Sequence, residues 1–250
     1  MAEGLSIGGL LKKKTQVFLF VALGLNLALW QASSPLFAKW KGVPPVPTRT
    51  GAVMMTLGDE EFSYRSGALT LQNLGDGGGH VTPIKDYDFE KLGKWFWLLN
   101  SLDPASDHVP MAAAYYFGGT RTPKDVAVVV KYLSVIGDSP VGEKWRWLAH
   151  AAYLARHRMN NLDLALELSY KLARLRPLDR ELPMWARQMP AFVLKEQGDK
   201  EASKEMMSQI LVTEKNLAPQ EVNFMKSYLV EQLGAFPEEV EQLMQMRGEE

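Results

Sequence analysis

Ala165-Leu-Glu-Leu-Ser-Tyr-Lys-Leu-Ala-Arg-Leu-Arg-Pro177 decides the fold class of this chain. Its apolar residues recur at helical spacing, and a proline follows the last turn, where a helix must stop. The closing phrase Leu172-Ala-Arg-Leu-Arg-Pro177 has two earlier counterparts, Leu99-Asn-Ser-Leu-Asp-Pro104 and Val135-Ile-Gly-Asp-Ser-Pro140. The three prolines lie 36 and 37 residues apart. A period of that length points to stacked supersecondary units rather than one closed core.

Upstream of this stretch, Trp145, Leu148, Ala149 and Ala152 place large and small residues on one helix face. Small residues sit where two helices cross closely, and large ones fill the gap to the next unit. From about Asp59 onward the pattern is helical, and Ala52-Val-Met-Met-Thr56 is the nearest approach to a strand. Breakers divide the helices at Gly75–His80, Gly118–Pro123, Gly137–Pro140, Pro177–Asp179 and Gly198-Asp199. Asp59, Asp86 or Asp88, and Thr122 before Pro123 carry helix-start chemistry. The last helix, Pro237 to Met246, is apolar at Val240, Leu243 and Met244, as a stack-capping helix should be.

The Trp145-x2-Leu148-Ala149-x2-Ala152 spacing, with the twelve-residue step from Ala165 to Pro177, resembles a tetratricopeptide repeat lengthened near His157–Asn161. A later unit, Met184 to Gln197 followed by Gly198-Asp-Lys-Glu-Ala-Ser203, is similar in its second half. Ala191 is small at its crossing, and Pro190 should bend its first helix. The units ending at Pro104 and Pro140 match only in their endings, and Tyr115 and Tyr116 are too large for a crossing position. The resemblance covers roughly residues 86 to 212. It implies an all-α, TPR-like α-solenoid of stacked helical hairpins that binds a protein in its concave groove. Phasing on Trp145 places Arg146, His150 and Tyr153 in that groove; phasing on Ala191 places Trp185, Gln188 and Phe192 there.

The N-terminus has a different character. Lys12, Lys13 and Lys14 precede an apolar run from Val17 to Trp30, interrupted by Gly24 and Asn26. Small-x-small cleavage signals at Ala32–Ser34 and Leu36–Ala38 are poor, so the segment reads as an uncleaved signal anchor over 15–37, a single transmembrane helix. Trp30, Phe37 and Trp40 fall where interfacial aromatics are expected. The tight lysine cluster places residues 1–14 in the cytoplasm and the bulk outside, the periplasmic side of a bacterial inner membrane. Pro44, Pro45 and Pro47 make 38–58 a stiff spacer, 59–236 the helical-repeat domain and 237–250 a capping helix and tail.

The function classes narrow accordingly. The 250 residues carry a formal net charge of -1, which argues against nucleic acid as a partner. The chain has no cysteine, which removes disulfides, thiolate catalysis and Cys-ligated zinc. His80, His108, His150 and His157 form no metal spacing, so no metal or other cofactor is expected. His150 and His157 with Arg146 read as a basic stripe suited to an acidic peptide, or as a solvated face. Gly75–His80 lacks the Gly-Lys-Ser/Thr ending of a phosphate loop, and Asp86–Glu90 lacks the glycine of a calcium loop. Without a Gly-x-Ser-x-Gly elbow either, no enzyme is indicated. Trp95, Trp97, Trp145, Trp147 and Trp185 read mostly as core. The sequence thus points to a membrane-anchored scaffold for another membrane or periplasmic protein, touching the bilayer through its N-terminal helix. The alternative is an integral subunit whose span packs inside a complex through Gly24 and Asn26.

Overall fold

The computed structural model describes residues 7–33, 42–77, 80–178 and 181–248, and the chain divides into two compact units at Trp40/Lys41. The first unit holds α1 (Ile7–Ser33). Its stretch Lys14–Ser33 is long and apolar enough to cross a membrane, since twenty residues rise about 30 Å. Helix α1 begins at Ile7, inside the stretch expected as a separate N-terminus. Gly24, Asn26 and Trp30 lie on it, all solvent-exposed. The expected cleavage signals, Pro35, Phe37 and Trp40 fall wholly or partly outside the described residues.

Among its described residues the second unit is helical apart from loops and one hairpin of two-residue strands, Asp76–Gly77 with His80–Val81, in the expected Gly75–His80 loop. Gly78 and Gly79 of that loop, like Asp179 of the Pro177 loop and the last two residues, lie outside the described residues. The helices are α2 (Arg49–Met55), α3 (Glu60–Gln72), α4 (Phe89–Leu102), α5 (His108–Met111), α6 (Pro123–Ile136) and α7 (Trp145–His157). They continue with α8 (Leu162–Arg174), α9 (Met184–Gln197), α10 (Lys200–Thr213), α11 (Pro219–Ser227) and α12 (Pro237–Arg247). Helix α5 runs on into a π-helical turn, Ala112–Tyr116, and α11 into another, Tyr228–Gln232.

Local chemistry accounts for these boundaries. Asp59, Asp88, Asn161 and Asp199 each accept a backbone N–H of the first turn that follows, at 2.9 to 3.1 Å. Such caps supply acceptors that the first helical turn otherwise lacks. Gly198 ends α9 at φ 92, a left-handed position that glycine takes without a Cβ clash. The Ala52–Thr56 stretch, the nearest to a strand by sequence, is helical as α2 and its C-cap.

From α6 to α10 each helix packs on its neighbours in sequence. The phrase-ending prolines each follow a helix, after Leu102, Ile136 and Arg174. The ends of two phrases are joined directly, as Leu178 N donates to Pro140 O at 3.0 Å. The same spacing recurs in side-chain contacts. Lys144–Asp107, Lys171–Ser134 and Lys195–Gln232 bridge 37 residues, and His150–Ala114 and Arg247–Leu211 bridge 36. Ala149, Ala152, Ala165 and Ala191 are all buried.

The apolar interior forms two clusters that meet at α9. One runs from Val43 to Val193, and the other gathers Ala191, Met207, Leu211, Met225 and Leu229. Fully buried leucines such as Leu148, Leu172 and Leu211 each contribute about 1.5–3 kcal/mol relative to exposure. Helix α12 closes this end through Val240. Arg247 donates to the carbonyls of Leu211 and Lys215 at the end of α10, at 2.7 and 3.0 Å.

Two expectations need correction. Residues 42–48 are not a free spacer: Val43 is buried in the core, and Trp95 Nε1 donates to Pro44 O at 3.0 Å. The prolines keep this segment extended, and the hydrogen bond from Trp95 on α4 ties it to the body, which therefore begins well before residue 59. The tryptophans also divide differently. Trp145 and Trp147 are buried, Trp95 is half-buried, and Trp97 and Trp185 are exposed.

Candidate functional site

Helix α7 is sharply two-faced and borders solvent. Leu148, Ala149, Ala152 and Ala155 turn inward, and Arg146, His150, Tyr153 and His157 follow one outward stripe at spacings of four, three and four. The rings on this stripe touch in series. Centroid distances are 5.5 Å from His150 to Tyr153 and 4.7 Å from Tyr153 to His157. Tyr115 joins from the π-helical turn after α5, edge-on to His150 at 4.8 Å.

The extra residue of a π turn shifts the side-chain register, so Ala113, Ala114 and Phe117 enter the core while Tyr115 and Tyr116 stay outside. Beside the rings lies a cleft of ≈ 390 Å³, lined by Tyr115, Gly118, Gly119, His150, Tyr153 and Arg158 among others. The glycines leave backbone bare along one wall. An open, aromatic-lined recess with one cation beside it suits contact with a polypeptide surface, since Tyr and Arg dominate such contacts.

The charge on this face departs from the expected basic stripe. His150 is half-buried, and its Nε2–H donates to Ala114 O at 3.1 Å. Burial lowers its pKa, outweighing the carbonyl bond that raises it, so the neutral ring is favoured. Arg146 is already engaged, 3.1 Å from Glu143 and 3.6 Å from Asp107, with its guanidinium 5.7 Å from the Trp147 ring centroid. The face is therefore aromatic and near neutral rather than strongly cationic.

Under it lies a polar clamp that no local sequence pattern announces. The Lys144 ammonium donates to Ala105 O at 3.1 Å, Ser106 O at 2.8 Å and Asp107 Oδ1 at 2.8 Å. Trp147 Nε1 donates to the same carboxylate oxygen at 2.7 Å. Burial pushes the Asp107 carboxyl up. The bonds from Lys144 and Trp147 and the charges of Lys144 and Arg146 outweigh that, and hold it below the usual carboxylate range.

The second half of the expected groove does not assemble as the phasing implied. Trp185 is exposed and meets Trp145 at 5.7 Å. Gln188 is only 3% exposed, enclosed where α9 lies between α8 and α10. Phe192 is half-buried against Phe224 and Tyr228 at 6.2 and 5.2 Å, because α11 and its π turn cover the C-terminal half of α9. Arg146, His150 and Tyr153 are thus brought together with Tyr115, while Gln188 and Phe192 belong to the packing.

Elsewhere, Asp88 caps α4, and its bond from Lys91 N leads the causes that lower its pKa. Among the described residues no three of His, Cys, Asp or Glu gather as a metal set would require. Gly24 has nothing within 4 Å of where a Cβ would lie, so that face of α1 is open. No family model, no curated protein and no solved structure matches the chain.

Proposed function

We propose that the protein is a membrane-anchored adaptor of stacked, tetratricopeptide-like helical pairs. It holds another envelope or membrane protein against the outward face of α7. It acts by binding and not as an enzyme, and neither nucleic acid nor a cofactor takes part. The observation that carries this reading is the ring series Tyr115–His150–Tyr153–His157 beside an open cleft. Rings held by neighbours lose little freedom on binding, and buried aromatics are the usual energetic centres of protein contacts. The stacked architecture is supported by the contacts bridging 36 and 37 residues and by the buried alanines of α7 and α8. The anchor reading is supported by Lys14–Ser33. The lysines before it favour a cytoplasmic N-terminus in a bacterial inner membrane, with the body in the periplasm. Anchoring raises the effective concentration of the body near a membrane partner.

The test is co-purification from native membranes of the full chain against Tyr115→Ala/Tyr153→Ala. Partner recovery should fall at least about tenfold, the loss expected when hot-spot aromatics are truncated. Leu178→Ala, an exposed change outside this face, should retain the partner. Equal recovery from all three would remove the α7 face from the account.

A further inference from the structure

The corner between α2 and α3 exposes four large apolar side chains within nine residues. Met54 is 72% exposed, Met55 78%, Leu57 100% and Phe62 58%. Clustered apolar exposure of this kind marks a contact surface rather than ordinary scatter. The backbone reinforces the point. Leu57 has φ 57, a left-handed conformation that disfavours any residue bearing a Cβ. Glycine or asparagine would end α2 there without strain. A fully exposed leucine gains nothing from the protein interior in return.

The corner is also held in shape. Leu57 N donates to Met54 O, Gly58 N to Val53 O and Asp59 N to Thr56 O, at 2.9 to 3.2 Å. Thr56 Oγ1 reaches Val53 O at 3.0 Å and Asp59 O at 2.8 Å. The neighbouring acids have partners: Glu60 meets Arg49 at 2.8 Å, Glu61 meets Arg65 at 2.5 Å, and Asp59 caps α3. What the corner presents is therefore apolar, with its flanking charges locally compensated.

We propose that this corner is a second membrane contact, in which Met54, Met55, Leu57 and Phe62 dip into the lipid interface of the bilayer that α1 crosses. The inference rests on the anchor reading above. Only eight residues separate Ser33, the end of α1, from Gly42, where the packed segment leading into α2 begins. Fully extended, they reach at most about 32 Å. A body tethered to the bilayer in this way meets lipid at a far higher effective concentration than any soluble partner. Insertion of apolar side chains to a depth of about 5–10 Å is the usual mode of interfacial contact. Compensated charge means that anionic lipid is not needed.

Because the chain has no cysteine, single-cysteine variants can be labelled with nitrobenzoxadiazole without background. The full-length protein is placed in phosphatidylcholine liposomes carrying lipids spin-labelled either near the headgroup or deep in the acyl chain. Labels at Leu57→Cys and Met55→Cys should shift to the blue. Shallow spin labels should quench them at least about twofold more than a label at the remote exposed Leu178→Cys. A label at Leu25→Cys in α1 should be quenched by the deep lipids. If Leu25→Cys is quenched and the corner labels behave like Leu178→Cys, the corner contact is wrong and the anchor stands. If Leu25→Cys is not quenched, the anchor reading fails and takes this inference with it. A blue shift at the corner without quenching by lipid means that protein covers it, which also overturns the inference.

Discussion

Gly137→Ala should destabilise the protein by about 3 kcal/mol, at the upper end of what overpacking a rigid site costs. The backbone conformation is not the reason, because φ -71 and ψ -10 suit any residue. The reason is space. A Cβ at this position would fall onto the backbone N of Leu148, 2.6 Å from its Cβ and 2.7 Å from its Cα. Leu148 is fully buried and flanked in α7 by the buried Ala149, Ala151 and Ala152, so it has no room to retreat. The end of α6 and the first turns of α7 would have to part, opening the seam that carries the aromatic face. Gly198 is the control. It sits at φ 92 with nothing within 4 Å, so Gly198→Ala should cost only about 1 kcal/mol of left-handed strain. Denaturant titration of the purified protein gives both values. Equal midpoints for the two variants would mean that α6 and α7 do not approach as closely as described.

Lys144→Ala is the second large effect. The ammonium side chain is 8% exposed and makes three hydrogen bonds to the segment before α5. Its removal strips this donor from two carbonyls and leaves the carboxylate to Trp147 and Arg146. Groups stranded in this way cost about 1–3 kcal/mol each when fully buried. The Asp107 side chain is 43% exposed and recovers part of its hydration, so a total of about 2–3 kcal/mol is expected. The substitution should also change the acid response. With its carboxyl held below the ordinary range, Asp107 adds stability that is present above its unfolded value of about 3.9 and lost as pH falls through the lower folded value. Without Lys144 that depression shrinks, so the variant should lose less additional stability over the same acid window than the parent does. A parallel pH profile for both proteins would show that the pair is not formed.

Those two sites mark where sequence reading reached and where it stopped. Helices α7 and α8 were legible because their apolar residues keep one period from Trp145 to Leu172, with small residues at the crossings. The caps at Asp59 and Asp88 were legible because capping is local. The apolar stretch of α1 was legible from length and composition alone. Contacts that depend on distant partners were not. Gly137 read as a breaker, yet its function is to admit the backbone of α7. Nothing near Pro44 announces that Trp95, 51 residues away, will bind its carbonyl and pin the segment. The π turn that brings Tyr115 to His150 has no pattern to distinguish it from an ordinary helix. The stripe Trp185–Gln188–Phe192 had sound helical spacing. It failed as a groove because α11, which no repeat period placed there, packs across its end.

The central claim is that a membrane protein sits on the outward face of α7, and photo-crosslinking in native membranes tests it most directly. A photoreactive amino acid replaces Tyr153 in one full-length variant and the exposed Leu178 in another. The account predicts one discrete crosslinked species from position 153 that is absent from position 178 and disappears when Tyr115→Ala is added. No product from position 153, or the same products from both positions, would contradict it.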